Sequence, residues 1–268
     1  MVKKGRRILL FSLLFLPSFF LSTQGSALYQ GEPYALGIGE AYTTLAHGPL
    51  APLWNAAGVL ESSGLHGAVA LCRLPGGGRV FFSGGAVCAE EGPAVAWTMA
   101  RHEGDEGEIL GTFAFPFLAH TAVGGSLSYY FGASETAVSF NVGVNWRGER
   151  MSLAASVFDL GAVISEEKWP SRFLFGVSLP ALEGVTVAID LHLDSAGGEV
   201  ALGGEARAWQ MNLRWGTVLS LGGGLSQLGL GIGFTLLGFP IDLSVGFVGS
   251  DLEMWSSIGA RASLPAWW

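Results

Sequence analysis

Between Val185 and Asp194 the chain reads VTVAIDLHLD, and Asp190-x-His192-x-Asp194 sets two carboxylates and an imidazole at alternate positions. These side chains are the usual ligands of divalent metals and the usual general acids and bases. Alternate positions on a strand lie roughly 6.5–7 Å apart. Asp190 and His192 would therefore share a cation only by leaning together, with a further ligand from a neighbouring strand. The odd-numbered residues of the stretch are Val185, Val187, Ile189, Leu191 and Leu193, all large and apolar. Strict period two puts every apolar side chain on one face of a strand and every polar one on the other. That pattern favours a wall whose polar face meets a wet interior. Its ionisable groups are then solvated or paired with Arg147, Arg172, Arg207 or Arg214 rather than gathered into a metal or catalytic centre.

The remaining chemistry-bearing residues are dispersed. His47, His66, His102, His120 and His192 show no Ser/His/acid spacing of a nucleophile system. The glycine runs Gly76–Gly78 and Gly222–Gly224 sit at turns, without the strand-loop-helix context of a phosphate loop. Glu103, Asp105, Glu106 and Glu108 suit a solvated loop better than a Ca²⁺ site. The expectation is a protein that is not an enzyme, with no metal ligands and no cofactor.

The elements that carry these residues repeat the same alternation. Val138, Phe140, Val142, Val144 and Trp146 oppose Ser139, Asn141, Gly143, Asn145 and Arg147. Leu228, Leu230, Ile232, Phe234 and Leu236 oppose Gln227, Gly229, Gly231, Gly233 and Thr235. In 171–179 the pattern is interrupted by Leu174. Fourteen such segments of about ten residues run from 64–73 to 252–264, with 108–115 the fourth, 150–160 the seventh and 171–179 the eighth. Nine to eleven residues is the length of a tilted strand crossing a bilayer. An even number of strands, large apolar residues on one face and small polar ones on the other, predicts an all-β, transmembrane, antiparallel up-and-down barrel of about 14 strands. A soluble sandwich also alternates, but its outer face would carry many Lys, Glu and Thr residues. Mean hydropathy of +0.44 with 13% charged residues agrees with the barrel. The uncharged stretches 109–134 and 215–241 are too rich in Gly and Pro for membrane helices, since glycine costs a helix interior about 1 kcal/mol.

Lys3, Lys4, Arg6 and Arg7, an apolar run from Ile8 to Leu21 and a Gly25-x-Ala27 exit predict a signal peptide over residues 1–27. Its removal leaves 241 residues with ten basic and 22 acidic side chains, a formal −12. That excess argues against nucleic acid as a partner. The expected location is the bacterial outer membrane, with its lipid as the surrounding partner. Trp146, Trp209, Trp267 and Trp268 fall at strand ends on one side, as an aromatic girdle would. Ile258, Ala260, Ala262, Leu264 and Trp268 share one parity, resembling the C-terminal signal that barrel-assembly machinery reads. A turn at Pro75–Gly78 sets Cys72 and Cys88 far apart along neighbouring strands, so both are expected to be unpaired thiols.

Ahead of the first strand lies YALGIGEAYTTLAHGPLAPLWNAAGVL, Tyr34 to Leu60. It resembles the start of the FadL-like and PorV/PorQ-like outer-membrane proteins, through Leu36, Gly37, Gly39, Ala41, Tyr42, Leu45, Ala46, Leu53, Trp54, Asn55, Ala57 and Gly58, with Ala56 where that pattern has proline. The resemblance implies a short hatch over residues 28–62, with Gly37, Gly39, Tyr42, Trp54 and Asn55 at its centre, inside a barrel over residues 63–268. It also implies a lumen to which Asn141, Asn145, Asp190, His192 and Arg214 contribute polar groups. Relatives of this kind pass hydrophobic small molecules or serve protein secretion. The first predicts a plugged passage; the second predicts a barrel that anchors a secretion or envelope complex. The short connections of this chain, such as Gly132–Glu135 and Gly249–Ser250, leave no room for large capture loops.

Overall fold

A computed structural model describes residues 32–60, 63–74, 77–104, 106–132, 136–164, 167–168, 170–195, 197–249 and 253–265. The segment read as a signal peptide and the terminal Trp267-Trp268 lie outside the described residues. The chain forms β1 (Gly64–Arg73), β2 (Arg79–Cys88), β3 (Ala94–His102), β4 (Gly107–Leu118), β5 (Thr121–Phe131), β6 (Thr136–Arg147) and β7 (Ser152–Ile164). There follow β8 (Arg172–Leu182), β9 (Val185–Asp194), β10 (Gly197–Ala208), β11 (Met211–Ser220), β12 (Leu225–Leu236), β13 (Phe239–Val248) and β14 (Glu253–Pro265). A two-residue bridge, Glu167–Lys168, folds back on β7. Each strand pairs antiparallel with its neighbours in sequence, and β1 pairs with β14, Val69 opposite Ala260. The sheet therefore closes into a 14-strand barrel and leaves no free edge.

Alternation sets the two faces. On β1, His66, Ala68, Ala70 and Cys72 are buried inward while Leu65, Val69 and Leu71 face out and are exposed. On β6, Ala137, Ser139, Asn141, Gly143 and Asn145 are buried, and Val138, Phe140 and Val144 are exposed. A continuous belt of exposed Val, Leu, Ile, Phe and Trp is far beyond the apolar patches that proteins present to water, and is what a lipid-facing wall requires. At the end of the barrel where β1 begins and β14 finishes, several connections are two-residue turns, at 119–120, 183–184, 209–210 and 237–238. Leu237 and Gly238 are both left-handed, with φ of 52° and 86°, which matches the twist of a hairpin.

Two strand readings need correction. The seventh strand extends to Ile164, beyond the expected 160. Asp159 and Gly161 adopt φ of 59° and 70°, and the register with β6 slips twice between Val138 and Val142. Bulges reset which side chains face inward, so parity loses the strand there while its ladder continues. The fourth strand likewise reaches Leu118, past Pro116, where its register against β5 shifts. Leu174 is no interruption of the pattern: it is an inward residue, buried in the lumen. Cys72 lies opposite Val80 and Cys88 opposite Gly64, and both are buried free thiols.

Residues 32–60 lie within the barrel. They form α1 (Pro33–Gly37) and two 3-10 turns, Ala51–Leu53 and Ala56–Val59. Proline suits the first helical position, whose N–H would have no partner. The Glu32 side chain accepts from Ala35 N at 2.9 Å and so caps α1. Asn55 caps the second 3-10 turn, accepting from Ala57 N at 3.0 Å. The α1 helix rests on β12 and β13, and the second 3-10 turn on β4, β5 and β6. Eight strands only just fill their interior with side chains. A wider barrel lined largely by Gly, Ala and Ser needs an inserted segment, and residues 32–60 are that filling.

Candidate functional site

The seat of this plug is built first from glycine. Gly203, Gly216, Gly229 and Gly246 are direct register partners in turn across β10, β11, β12 and β13. All four lie at inward positions, forming a strip of bare backbone. A Cβ at Gly216 or Gly203 would collide with the Ile38 carbonyl, and one at Gly229 with the Leu36 carbonyl. On the opposite wall a Cβ at Gly124 or Gly143 would strike Ala56 or Asn55. Plug backbone thus touches wall backbone at two places, which only glycine permits. Behind the strip the outer, lipid-side face has an apolar depression of about 630 Å³ between Ile189, Leu202, Trp215, Leu228 and Leu230.

Hydrogen bonds fix the plug's register. Asp190 accepts from Thr43 N at 2.6 Å. The Asn55 amide donates to the carbonyls of Thr43 and Val144, both at 3.3 Å, tying plug to plug and plug to β6. Thr98 donates to Pro49 O at 2.6 Å, and Cys88 to Val59 O at 3.3 Å. Ser244 donates to the Pro33 carbonyl. These bonds use plug carbonyls and amides that a chain with so little helix leaves unpaired, and buried backbone groups must find partners.

The wall beside α1 is charged. Arg214, almost wholly buried, donates from Nε to Glu205 and from Nη1 to Asp242, each at 2.7 Å. Arg261 lies 3.4 Å from the second Asp242 oxygen and bonds His47 of the plug. The Arg214 guanidinium stacks 3.8 Å above the Tyr34 ring. From there an aromatic file crosses the lumen: Tyr34 to Tyr42 at 4.8 Å between centroids, Tyr42 to Trp54 at 5.9 Å, and Trp54 to His192 at 6.2 Å. Burial raises the pKa values of the plug's own groups. It pushes the Glu32 carboxyl up to about 6, against the opposing hydrogen bond from Ala35. It pushes Glu40 up to about 8, with Glu199 adding to the rise and Arg172 opposing it. The Tyr34 and Tyr42 phenols also move upward through burial.

The opposite wall is apolar. Ala68, Ala70, Cys72, Val80, Phe82, Ala96, Ala100, Leu110 and Ala114 of β1 to β4 form one buried cluster with Leu50, Leu53 and Val59 of the plug. Phe158, Leu174 and Trp255 extend it around the lumen.

The residues expected at this site are brought together in part. Gly37, Gly39, Tyr42, Trp54 and Asn55 are all buried in the plug, and Asp190, His192 and Arg214 meet it. Asn141 does not; its amide oxygen accepts from Asp159 N at 2.9 Å and supports the β7 bulge. Asn145 is buried beside the Val144 carbonyl that Asn55 bonds, its own amide atoms without a hydrogen-bond partner. Asp190 takes plug backbone rather than an arginine. Glu32, Glu40, His47, Glu199, Glu205, Asp242 and Arg261 were missed. The signal was present for Glu199 and Glu205, which share inward parity with Ala201 and Gly203.

No protein-family model and no curated protein matches this sequence. Among solved structures, the chain is similar to one described as the CymD monoaromatic hydrocarbon channel. The TM-score is 0.65 at 11% identity, over 86% of this chain and 98% of that one. A triple mutant of the Rhodopseudomonas blastica porin covers 75% of this chain and 99% of its own at 12% identity, but its TM-score of 0.45 is too low to support an argument. What the likeness to the hydrocarbon channel establishes is the fold alone: a closed, fourteen-stranded antiparallel barrel.

Proposed function

We propose that the chain is an outer-membrane barrel forming a plugged passage for small hydrophobic molecules. The observation that carries this reading is the two-sided lumen. Its apolar wall, from Val80 and Phe82 through Leu110 to Phe158 and Leu174, offers a hydrophobic molecule a surface that a water-filled pore would not have. The fold shared with a protein described as a monoaromatic hydrocarbon channel supports the same reading. The two-residue turns belong at the periplasmic end, where short connections are usual, and β14 presents its outward Ile258 and Leu264 to the assembly machinery.

Reconstituted liposomes test the proposal. Uptake of a labelled aromatic hydrocarbon should exceed that of protein-free vesicles, and deleting residues 32–60 should raise single-channel conductance from near zero to a steady open level. Hydrocarbon uptake no faster than in empty vesicles, with or without the plug, would overturn the passage reading. A second reading is a barrel that anchors a secretion or envelope complex, in the manner of PorV-type proteins. It draws on the backbone-to-backbone seating of the plug, which suits a permanent filling. A plug deletion that folds yet stays closed would favour it.

A further inference from the structure

At the outer end of the lumen, Glu40 of the plug meets His192 of β9 and Glu199 of β10. His192 and Glu199 are direct cross-strand partners. Each of the three residues offers a ligand atom, and these atoms lie within 4.8 Å of one another. Glu40 follows Gly39 in a left-handed pair, with φ of 60° and 61°. For a non-glycine residue this backbone is strained and needs surroundings that hold it. Here it turns the Glu40 carboxylate from the plug toward the wall.

Two further observations point to a ligand. Glu40 is 4% exposed, yet its Oε1 is buried without a hydrogen-bond partner, and so is His192 Nε2. The charges agree with one dication. Once the cation displaces the proton of Glu40, Glu40 and Glu199 supply two negative charges, while Arg172 pairs with Asp159 at 3.7 Å.

We propose that Glu40, His192 and Glu199 bind a divalent transition metal of the zinc type, clasping the plug to the wall. One imidazole and two carboxylates are borderline N/O donors suited to Zn²⁺ or Co²⁺, and poor for the all-oxygen preference of Ca²⁺ or Mg²⁺. Bonds of about 2.0–2.2 Å set tetrahedral ligands roughly 3.4 Å apart, so the cluster contracts by at most about 1.4 Å on binding, and water takes the fourth position. The metal links a residue near the start of the chain to two strands of its second half. Its role is mechanical, and it stands whatever the barrel carries.

The test uses untagged, signal-less protein refolded in detergent and stripped with chelator. Titration with Zn²⁺ in a calorimeter, and with Co²⁺ followed by visible absorption, should give one site per chain and a raised melting temperature. His192→Ala and Glu199→Gln should each weaken binding at least tenfold, while Asp194→Asn, on the same strand but outside the cluster, should bind as the parent does. Glu40→Gln leaves the wall untouched, so it keeps the test valid if a wall variant fails a heat-modifiability check; it too should lose tenfold. Absence of a stoichiometric site, or unchanged binding in Glu40→Gln and Glu199→Gln, would overturn the clasp.

Discussion

The two sides of the lumen obey one rule and do different things. On β1 to β4 most inward positions are Ala, Val, Phe, Leu and Cys, and apart from the bonds of Thr98 to Pro49 and Cys88 to Val59 they meet the 3-10 half of the plug through area. On β9 to β14 the inward positions include Asp190, His192, Glu199, Glu205, Arg214, Asp242 and Arg261, and they meet the α1 half through directed bonds. Apolar contact is non-directional and tolerates sliding. Buried ion pairs with two or three partners do not. The plug is therefore registered chiefly by the charged wall, with two bonds to the apolar one, which otherwise covers it. A passage that opens while the plug stays tethered would open along β1 to β4.

The sharpest way to break this asymmetry is Arg214→Ala. It leaves Glu205 and Asp242 buried without their shared cation and should cost about 3–5 kcal/mol, measured by urea unfolding in micelles. Arg214→Met combined with Glu205→Leu and Asp242→Leu should recover most of that loss. If it does not, Arg214 contributes mainly through its packing on Tyr34. Leu110→Ala on the apolar side should cost about 2–5 kcal/mol, with the value set by how far the plug relaxes into the cavity. No partner change should rescue it except refilling the volume. Gly216→Ala should cost about 1–3 kcal/mol by forcing its Cβ against the Ile38 carbonyl. It should also expose the plug to proteinase K, whereas Gly111→Ala, whose Cβ meets nothing within 4 Å, should be silent. Equal behaviour of the two glycine variants would remove the backbone-seating argument.

The smallest effect is that of pH on the charged side. Burial raises Glu32 from an ordinary 4.5 to about 6, so the seated plug holds that proton more tightly than the unfolded chain does. The favourable contribution is complete below pH 4.5 and declines as pH rises to about 6, by roughly 2 kcal/mol at most. Protease protection of the plug at pH 4.5 and at pH 7 should show a decline, and Glu32→Gln should lessen it, with Glu40 keeping its own share up to about pH 8. A protection that instead grows over this interval would reverse the assignment.

Much of the wall was legible in the sequence because one geometric fact, side chains alternating across a strand, acts locally and repeats. The alternation from Gln227 to Leu236 lies within the twelfth strand, Leu225–Leu236, and the alternating stretch VTVAIDLHLD is the ninth, Val185–Asp194. The same rule failed at Asp159 and Gly161, where left-handed residues change parity without ending the ladder. It also could not show that inward Phe82 and Leu110 fall on one side and Arg214 and Asp242 on the other, because strand tilt and closure decide which inward residues become neighbours. The plug's partners were still less accessible. Glu40 and Glu199 are 159 positions apart, and no local pattern joins them. His192 was read as a lone lumen residue beside Asp190, whereas it faces Glu199 across the ladder and Asp190 takes the Thr43 amide.

The glycine strip also has a consequence for the order of assembly. Leu36 to Gly39 are made near the beginning of the chain, but their seat is completed by β12 and β13, and the bonds from Ser244 to Pro33 and from Arg261 to His47 span 211 and 214 residues. Loop closure over such separations is entropically costly, and folds dominated by distant contacts form slowly. The plug therefore waits, unseated, until the last hairpins exist, and it docks as the final step of folding, together with the pairing of β1 to β14. Refolding into detergent should show a late kinetic phase in which the plug becomes protected as the pairing of β1 with β14 closes the sheet. That phase is set by contact order and by how long the first-made segment stays exposed before the barrel shuts around it.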